Sequence, residues 1–224
     1  MIATKDRPLY SASIGKKLVM SITGLFLCSF LLIHLSGNFL LLKSDGGEAF
    51  NAYANFMSTS PLIRIMEIVL VMGVGFHVFF AIKLIRENAQ ARPQKYAYSQ
   101  PLKNSSLFSQ IMGPSGMVIL LFLILHLVNF FAKHRFGDPG ETMYETVRNT
   151  FECWYYVLFY VLCMVLLSFH LNHGFQSAFQ TLGFNKPKSL IHKRIKQLGT
   201  LFAVAICVGY AVIPLFFFIK VTIG

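Results

Sequence analysis

Five apolar stretches, each separated from the next by a shorter polar segment, organise this chain. They run from about Leu18 to Leu42, Leu62 to Ile85, Leu107 to Ala132, Glu152 to Phe179 and Leu198 to Ile219. Each is longer than the ~20 residues that carry a helix across ~30 Å of hydrocarbon, so some tilt is accommodated. The pattern predicts an all-α fold, an integral membrane five-helix transmembrane bundle formed by residues 1–224 as a single domain.

The punctuation between the stretches sharpens this reading. Gly46-Gly47 marks a turn, and the polar-aromatic run from Glu48 to Tyr53 predicts a short helix lying in the interface. Pro61 is placed to open the second span. Arg64 and Glu67, three residues apart, share one helix face and are expected to pair. Pro114, between Gly113 and Gly116, predicts a kink early in the third span, and Pro214 interrupts the fifth. Asp138-Pro139-Gly140 reads as a turn in a mixed-charge loop over 133–150, and Trp154, Tyr155 and Tyr156 form an interfacial aromatic belt.

Composition agrees with a membrane protein. Hydrophobic residues make up 55% of the chain and charged residues 13%, about half the usual share of a soluble domain. The net charge of +11 would suggest nucleic acid in a soluble protein. Here the basic residues gather between spans, without the aromatic and basic interleave that reads nucleic acid, so topology, anionic lipid and a docked partner account for them. The N-terminus (Lys5, Arg7, Lys16, Lys17) and the segments 86–106 and 183–197 are basic, whereas the loops after spans one and three are neutral or mixed. The positive-inside rule therefore puts the N-terminus in the cytoplasm and the C-terminus outside. No secretory signal is evident, because the first apolar run is too long and His34-Leu35-Ser36-Gly37-Asn38 is not a small-x-small cleavage site. Cys28, Cys153, Cys163 and Cys207 show no C-x-x-C or C-x-x-C-H pattern, so they read as small buried hydrophobes and no covalent haem attachment is expected.

Four histidines change the picture most. His34, His77, His126 and His170 each sit inside a different span. At 1.5 Å per residue, His34 and His126 lie roughly 24 Å or more from the cytoplasmic entrances of the outward-running spans one and three. His77 and His170 lie well in from the outer surface on the inward-running spans two and four. Two pairs follow, His34 with His126 at an outer level and His77 with His170 at an inner one, separated by roughly 15 Å. A haem iron takes one ligand above and one below its plane, neutral imidazole serves as that ligand, and the core between facing helices is where such groups are housed. With both axial positions filled, electron transfer is the expected work. Gly37, Gly73, Gly75, Gly116 and Gly174 leave room for a flat macrocycle or for close helix packing. A single membrane histidine is often only a hydrogen-bonded bridge between helices, but four on four spans at two levels favour ligation. His173, one face round from His170, is the weaker candidate, facing a helix or a propionate. His134 and His192 fall in loops and are given no metal role.

At this point the chain resembles a known family, the membrane-anchor cytochrome b subunit of succinate dehydrogenase and fumarate reductase, in its single-chain, five-helix, dihaem bacterial form. The resemblance runs nearly the whole length. It is carried by Leu32-Ile33-His34-Leu35, Glu48-Ala49-Phe50-Asn51 followed by Phe56-Met57, Glu67-Ile68 ten residues before His77, Leu125-His126, and Phe169-His170 with Gly174 and the Ser177–Gly183 tail. It implies two haem b groups, held by His34 and His126 (outer) and His77 and His170 (inner). It also implies a flavoprotein partner with covalent FAD, an iron–sulphur partner with three clusters, and a quinone, menaquinone for this type, met near the outer haem. The implied location is the bacterial cytoplasmic (inner) membrane. The succinate chemistry would lie in the partners, and this chain would be the electron-transfer and quinone-reactive subunit of the enzyme, the tricarboxylic acid cycle's link to electron transport. Some fumarate-reducing relatives carry a glutamate two residues before the fourth-span ligand. Ser168 stands there instead, which favours succinate oxidation. Glu67 and Arg64 at the outer end are candidates for supplying protons to the quinone, or form an interfacial salt bridge. Two other readings stay open: a dihaem cytochrome b subunit of another quinone-linked oxidoreductase, of hydrogenase or formate dehydrogenase type, and a transporter whose histidines relay protons, which would show broken helices in matched halves.

Overall fold

The computed structural model describes residues 13–90, 107–137, 140–184 and 189–223. The basic positions Lys5, Arg7, Arg92, Lys95, Lys103, Lys186 and Lys188, and the Asp138-Pro139 part of the expected turn, lie outside the described residues. The described chain is all helix: α1 (Ser13–Asn38) with a 3-10 turn at Phe39–Leu42, α2 (Glu48–Thr59), α3 (Pro61–Gln90), α4 (Leu107–His126) continuing through a π-helical segment Leu127–Ala132 into α5 (Lys133–Phe136), α6 (Met143–Phe151), α7 (Trp154–Thr181) and α8 (Leu190–Ile223). Five helical stretches are long and apolar enough to span a membrane: Ile14–Leu42, Pro61–Gln90, Ile111–Phe136, Trp154–Thr181 and Leu190–Ile223. The protein is a multi-pass membrane bundle.

Hydropathy locates these spans but not their ends. The fifth helix starts at Leu190 rather than near Leu198, because His192, Lys193, Arg194 and Lys196 continue it beyond the apolar zone. Lysine and arginine are good helix formers, so the helix outlasts the hydrocarbon. For the same reason α3 continues through Arg86 and Glu87 to Gln90. The helix runs on through Pro114, and the ladder changes register later, in the π segment immediately after His126. Between spans three and four, where a loop is expected, α6 forms on a capping box. The Thr142 hydroxyl accepts from the Glu145 backbone N–H at 3.3 Å and the Glu145 carboxylate accepts from the Thr142 N–H at 2.8 Å. The interfacial helix α2 is also longer than its expected six residues.

Helix α7 packs most extensively against α8, α1 packs against α3, α7 and α8, and α4 packs against α7. Helices α3, α1, α7 and α4 therefore follow one another as neighbours, with α8 seated behind α1 and α7. The core lies along the α7–α8 seam, where Val157, Tyr160 and Cys163 meet Ala203, Ile206 and Cys207. Helix α3 buries no residue, and Leu62, Ile65, Ile68 and Val71 are left for lipid.

The two ends of the bundle differ. At one, α2 and α6 form a cap. The Tyr144 backbone N–H donates to Asn51 Oδ1 at 2.9 Å, and the Tyr144 ring meets Phe217 of α8 with centres 5.5 Å apart. Gly47, at φ +94°, lies against the Tyr144 ring, so both its backbone and the space exclude a side chain. Gly37 lets α2 approach in the same way, because a Cβ there would stand 2.6 Å from the Tyr53 ring. At the other end Lys16 of α1, 4% exposed, is ion-paired with Glu87 of α3. Among the described residues this end carries Lys17, Arg86, Lys193, Arg194 and Lys196 besides that pair.

Candidate functional site: two histidine pairs on the bundle diagonals

Histidines on α1 and α4 meet across one diagonal of the α3–α1–α7–α4 array, and those on α3 and α7 meet across the other. The His34 and His126 rings are 6.0 Å apart between centres, with planes at 89°. The His77 and His170 rings are 6.5 Å apart, with planes at 68°. Neither diagonal is among the closely packed helix pairs of the described residues, so the imidazoles bridge a gap that the backbones leave.

The heights of the two pairs follow from their neighbours. A Cβ on Gly24 of α1 would lie 3.4 Å from His77 Cε1, and one on Gly116 of α4 would lie 3.5 Å from His170 Cε1. Gly24 precedes His34 by ten residues and Gly116 precedes His126 by ten. Ten residues rise ~15 Å along a helix, so the pairs occupy two levels about that far apart. At the His77–His170 level the two helices that do not supply histidines turn glycine towards the rings. Of the five glycines singled out from the sequence, only Gly116 does this. Gly37 admits Tyr53, Gly73 admits Phe26, and Gly75 and Gly174 have open space beside them.

The spacing of each pair suits a metal between the rings. An imidazole nitrogen binds a transition metal at roughly 2 Å and its ring centre lies about 1 Å beyond, so two rings on opposite sides of one ion stand ~6 Å apart. The number of ligands matters as much. Among the described residues no group of three or more His, Cys, Asp or Glu side chains is arranged to hold a metal ion. A bare ion held by protein alone usually needs three or four such ligands. Two opposed imidazoles suit a metal that brings its own equatorial donors, as haem iron does. In number and spacing, the two imidazoles of each pair match what a haem iron takes from a protein.

The surroundings of the rings differ between levels. His77 Nδ1 is 3.2 Å from the Thr23 hydroxyl and makes a backbone hydrogen bond at Met20. Thr23 Oγ1 gives its own proton to the Val19 carbonyl at 2.8 Å, so it meets His77 as an acceptor. An Nδ1–H held in this way presents Nε2 inward. At the other level each histidine is flanked by a tyrosine. Tyr210 of α8 packs on His34 with centres 5.9 Å apart, and its hydroxyl donates to the Leu31 carbonyl at 2.8 Å, tying α8 to α1. Tyr160 of α7 packs on His126 at 6.2 Å. Phe30 and Phe122 stack on the same two histidines from one turn earlier.

The remaining candidates are placed as follows. Arg64 Nη1 donates to Glu67 Oε2 at 2.6 Å, and its other amino group bonds the Ser58 carbonyl, so the arginine ties the start of α3 to the end of α2. Glu67 lies ten residues before His77, at the height of the His34–His126 pair, and is half-buried. Ser168 turns its hydroxyl back to the Val165 carbonyl at 2.8 Å. His134 is exposed on α5, and His192 is on the first turn of α8 rather than in a loop. Sequence reasoning missed Gly24, Thr23, Tyr160 and Tyr210. A signal for the first was present, since spans one and three both read glycine, nine residues, histidine.

No family model, curated protein or solved structure matches this chain.

Proposed function

We propose that this protein is a dihaem cytochrome b, and specifically the membrane anchor of a succinate:quinone oxidoreductase. The observation that carries the cytochrome is the geometry of the four histidines: two opposed pairs, each with ring centres about one metal's span apart, on crossed diagonals at two heights. His34 and His126 would hold one haem b, and His77 and His170 the other. When bound, the two irons would supply one-electron relay between an iron–sulphur partner on one side of the membrane and a quinone.

The chain's own residues do the rest. Gly24 and Gly116 keep the second level open, and the Thr23 hydroxyl fixes the orientation of His77. Tyr210 and Phe30 hold the His34 ring in place. Apolar side chains on every span exclude water from both levels. Arg64 and Glu67, at the height of the His34–His126 pair and near the capped end, are the groups we assign to quinone binding and proton supply. The basic end, where α1 begins, is assigned to the cytoplasm of a bacterial cell, and docks the iron–sulphur and flavoprotein subunits or anionic lipid. The choice of succinate, of menaquinone and of those partners rests on the sequence resemblance. A cytochrome b subunit of a hydrogenase or formate dehydrogenase would use the same histidine geometry.

The test is purification from native membranes, with haem measured as pyridine haemochrome. Two b-type haems per chain, a copurifying flavoprotein and succinate–quinone reductase activity are expected. Two haems with a different partner would move the assignment to the second reading. A chain without haem, made with ample haem supply, would overturn the cytochrome.

A further inference from the structure

Among the described residues, three buried side-chain polar atoms have no hydrogen-bond partner, and two of them belong to side chains in contact: His126 Nδ1 and the Tyr160 hydroxyl. Tyr160 is 5% exposed and ringed by Phe122, Phe130, Phe151 and Phe159. A phenylalanine would fill that apolar pocket equally well, and a buried hydroxyl without a partner is costly. The other tyrosine at this height, Tyr210, has its hydroxyl bonded to a carbonyl. The polar side chain beside the Tyr160 hydroxyl is Asn129. Asn129 lies in the π-helical segment that begins directly after His126, and such segments recur at functional sites because they re-aim side chains.

We infer that Tyr160 is a positioning residue for His126. With the level occupied, its hydroxyl takes the Nδ1 proton of that imidazole and gives its own proton to the Asn129 amide oxygen, two bonds that the structure leaves open at these buried atoms. Made together, they satisfy both groups. The relay leaves Nε2 of His126 facing His34, as Thr23 and Met20 do for His77 at the other level. A hydrogen bond accepted from Nδ1 makes an imidazole a stronger donor to a metal and stabilises its oxidised form. The phenol thus sets the potential of one level without touching the other. The inference rests on the haem reading above.

The experiment is Tyr160→Phe in the full-length chain, purified from membranes with its natural partners. It is read by redox titration of the b-type absorption and by the low-spin ferric electron paramagnetic resonance signals. Haem content is expected to stay at the unaltered level. One of the two titration waves should move to higher potential, with a change in its own resonance signal, while the second wave stays in place. Asn129→Ala should move the same wave in the same direction by less. Two unmoved waves, or equal shifts of both, would overturn the inference. If Tyr160→Phe fails to accumulate, Asn129→Ala decides: the same single wave moving upward sustains the relay, and any other pattern ends it. Absence of haem from the unaltered protein would be seen before any variant is made, and would end the haem reading rather than this one alone.

Discussion

Gly24 of α1 faces the imidazole of His77 on α3 so closely that a Cβ would stand 3.4 Å from Cε1. An alanine at Gly24 would just touch the ring, and anything longer would occupy the space beside it. Gly24→Leu should therefore leave the five spans in place and remove one haem of two per chain, with the His77–His170 level empty. Haem content measured against protein, with the membrane-inserted yield as control, checks this. Two haems retained would show that the glycine serves helix packing alone.

The two diagonals make a prediction about equivalence. His34→Ala and His126→Ala should each lose the same haem signal, and the double variant should lose nothing more. His77→Ala and His170→Ala should together define the other signal. Difference spectra of the four single and two double variants decide it. Loss of one distinct signal by His34→Ala and another by His126→Ala would break the pairing.

Lys16 and Glu87 lock α1 to α3 at the basic end, and the two partners are not equally buried. The lysine side chain is 5% exposed and the glutamate 38%. Glu87→Gln strands an ammonium away from water, a loss on the order of 3 kcal/mol, whereas Lys16→Met leaves a carboxylate that still reaches solvent and costs much less. Thermal unfolding in detergent should rank Glu87→Gln below Lys16→Met. The reverse order would mean that Lys16 finds water or lipid phosphate once its partner is gone.

The capping box of α6 gives the α2–α6 cap a pH dependence. Hydrogen bonds from the Thr142 backbone and hydroxyl hold the Glu145 carboxyl below its usual range. A depressed carboxyl contributes stability that is complete above the unfolded value of about 4.3 and is lost as pH falls through the lower folded value. Glu145→Gln should weaken α6 at neutral pH and make no difference in strong acid. Proteolysis within residues 140–152, compared between the two proteins across that range, measures it. A gap that persists at low pH would remove Glu145 from the account.

Hydropathy alone determined five spans, an all-helical fold and a charged end distinct from a neutral one, because lipid demands long uninterrupted apolar helices whatever their partners. It also determined that four histidines lie at two depths, since helical rise converts spacing to height. The Arg64–Glu67 pair was legible for the same reason: both residues belong to one helix. Which helices are neighbours was not legible. A membrane helix is apolar on nearly every face, so no stripe marks the packed side, and α3, with none of its apolar window buried, reads like α8, with 39% of its window buried. Only tertiary structure could put Gly24 beside His77 and Tyr160 beside His126. It also joined α2 to α6 through Asn51 and Tyr144, residues 93 apart in the chain. These are contacts between helices, set by how side chains interdigitate, and a one-dimensional pattern of polarity carries no record of them.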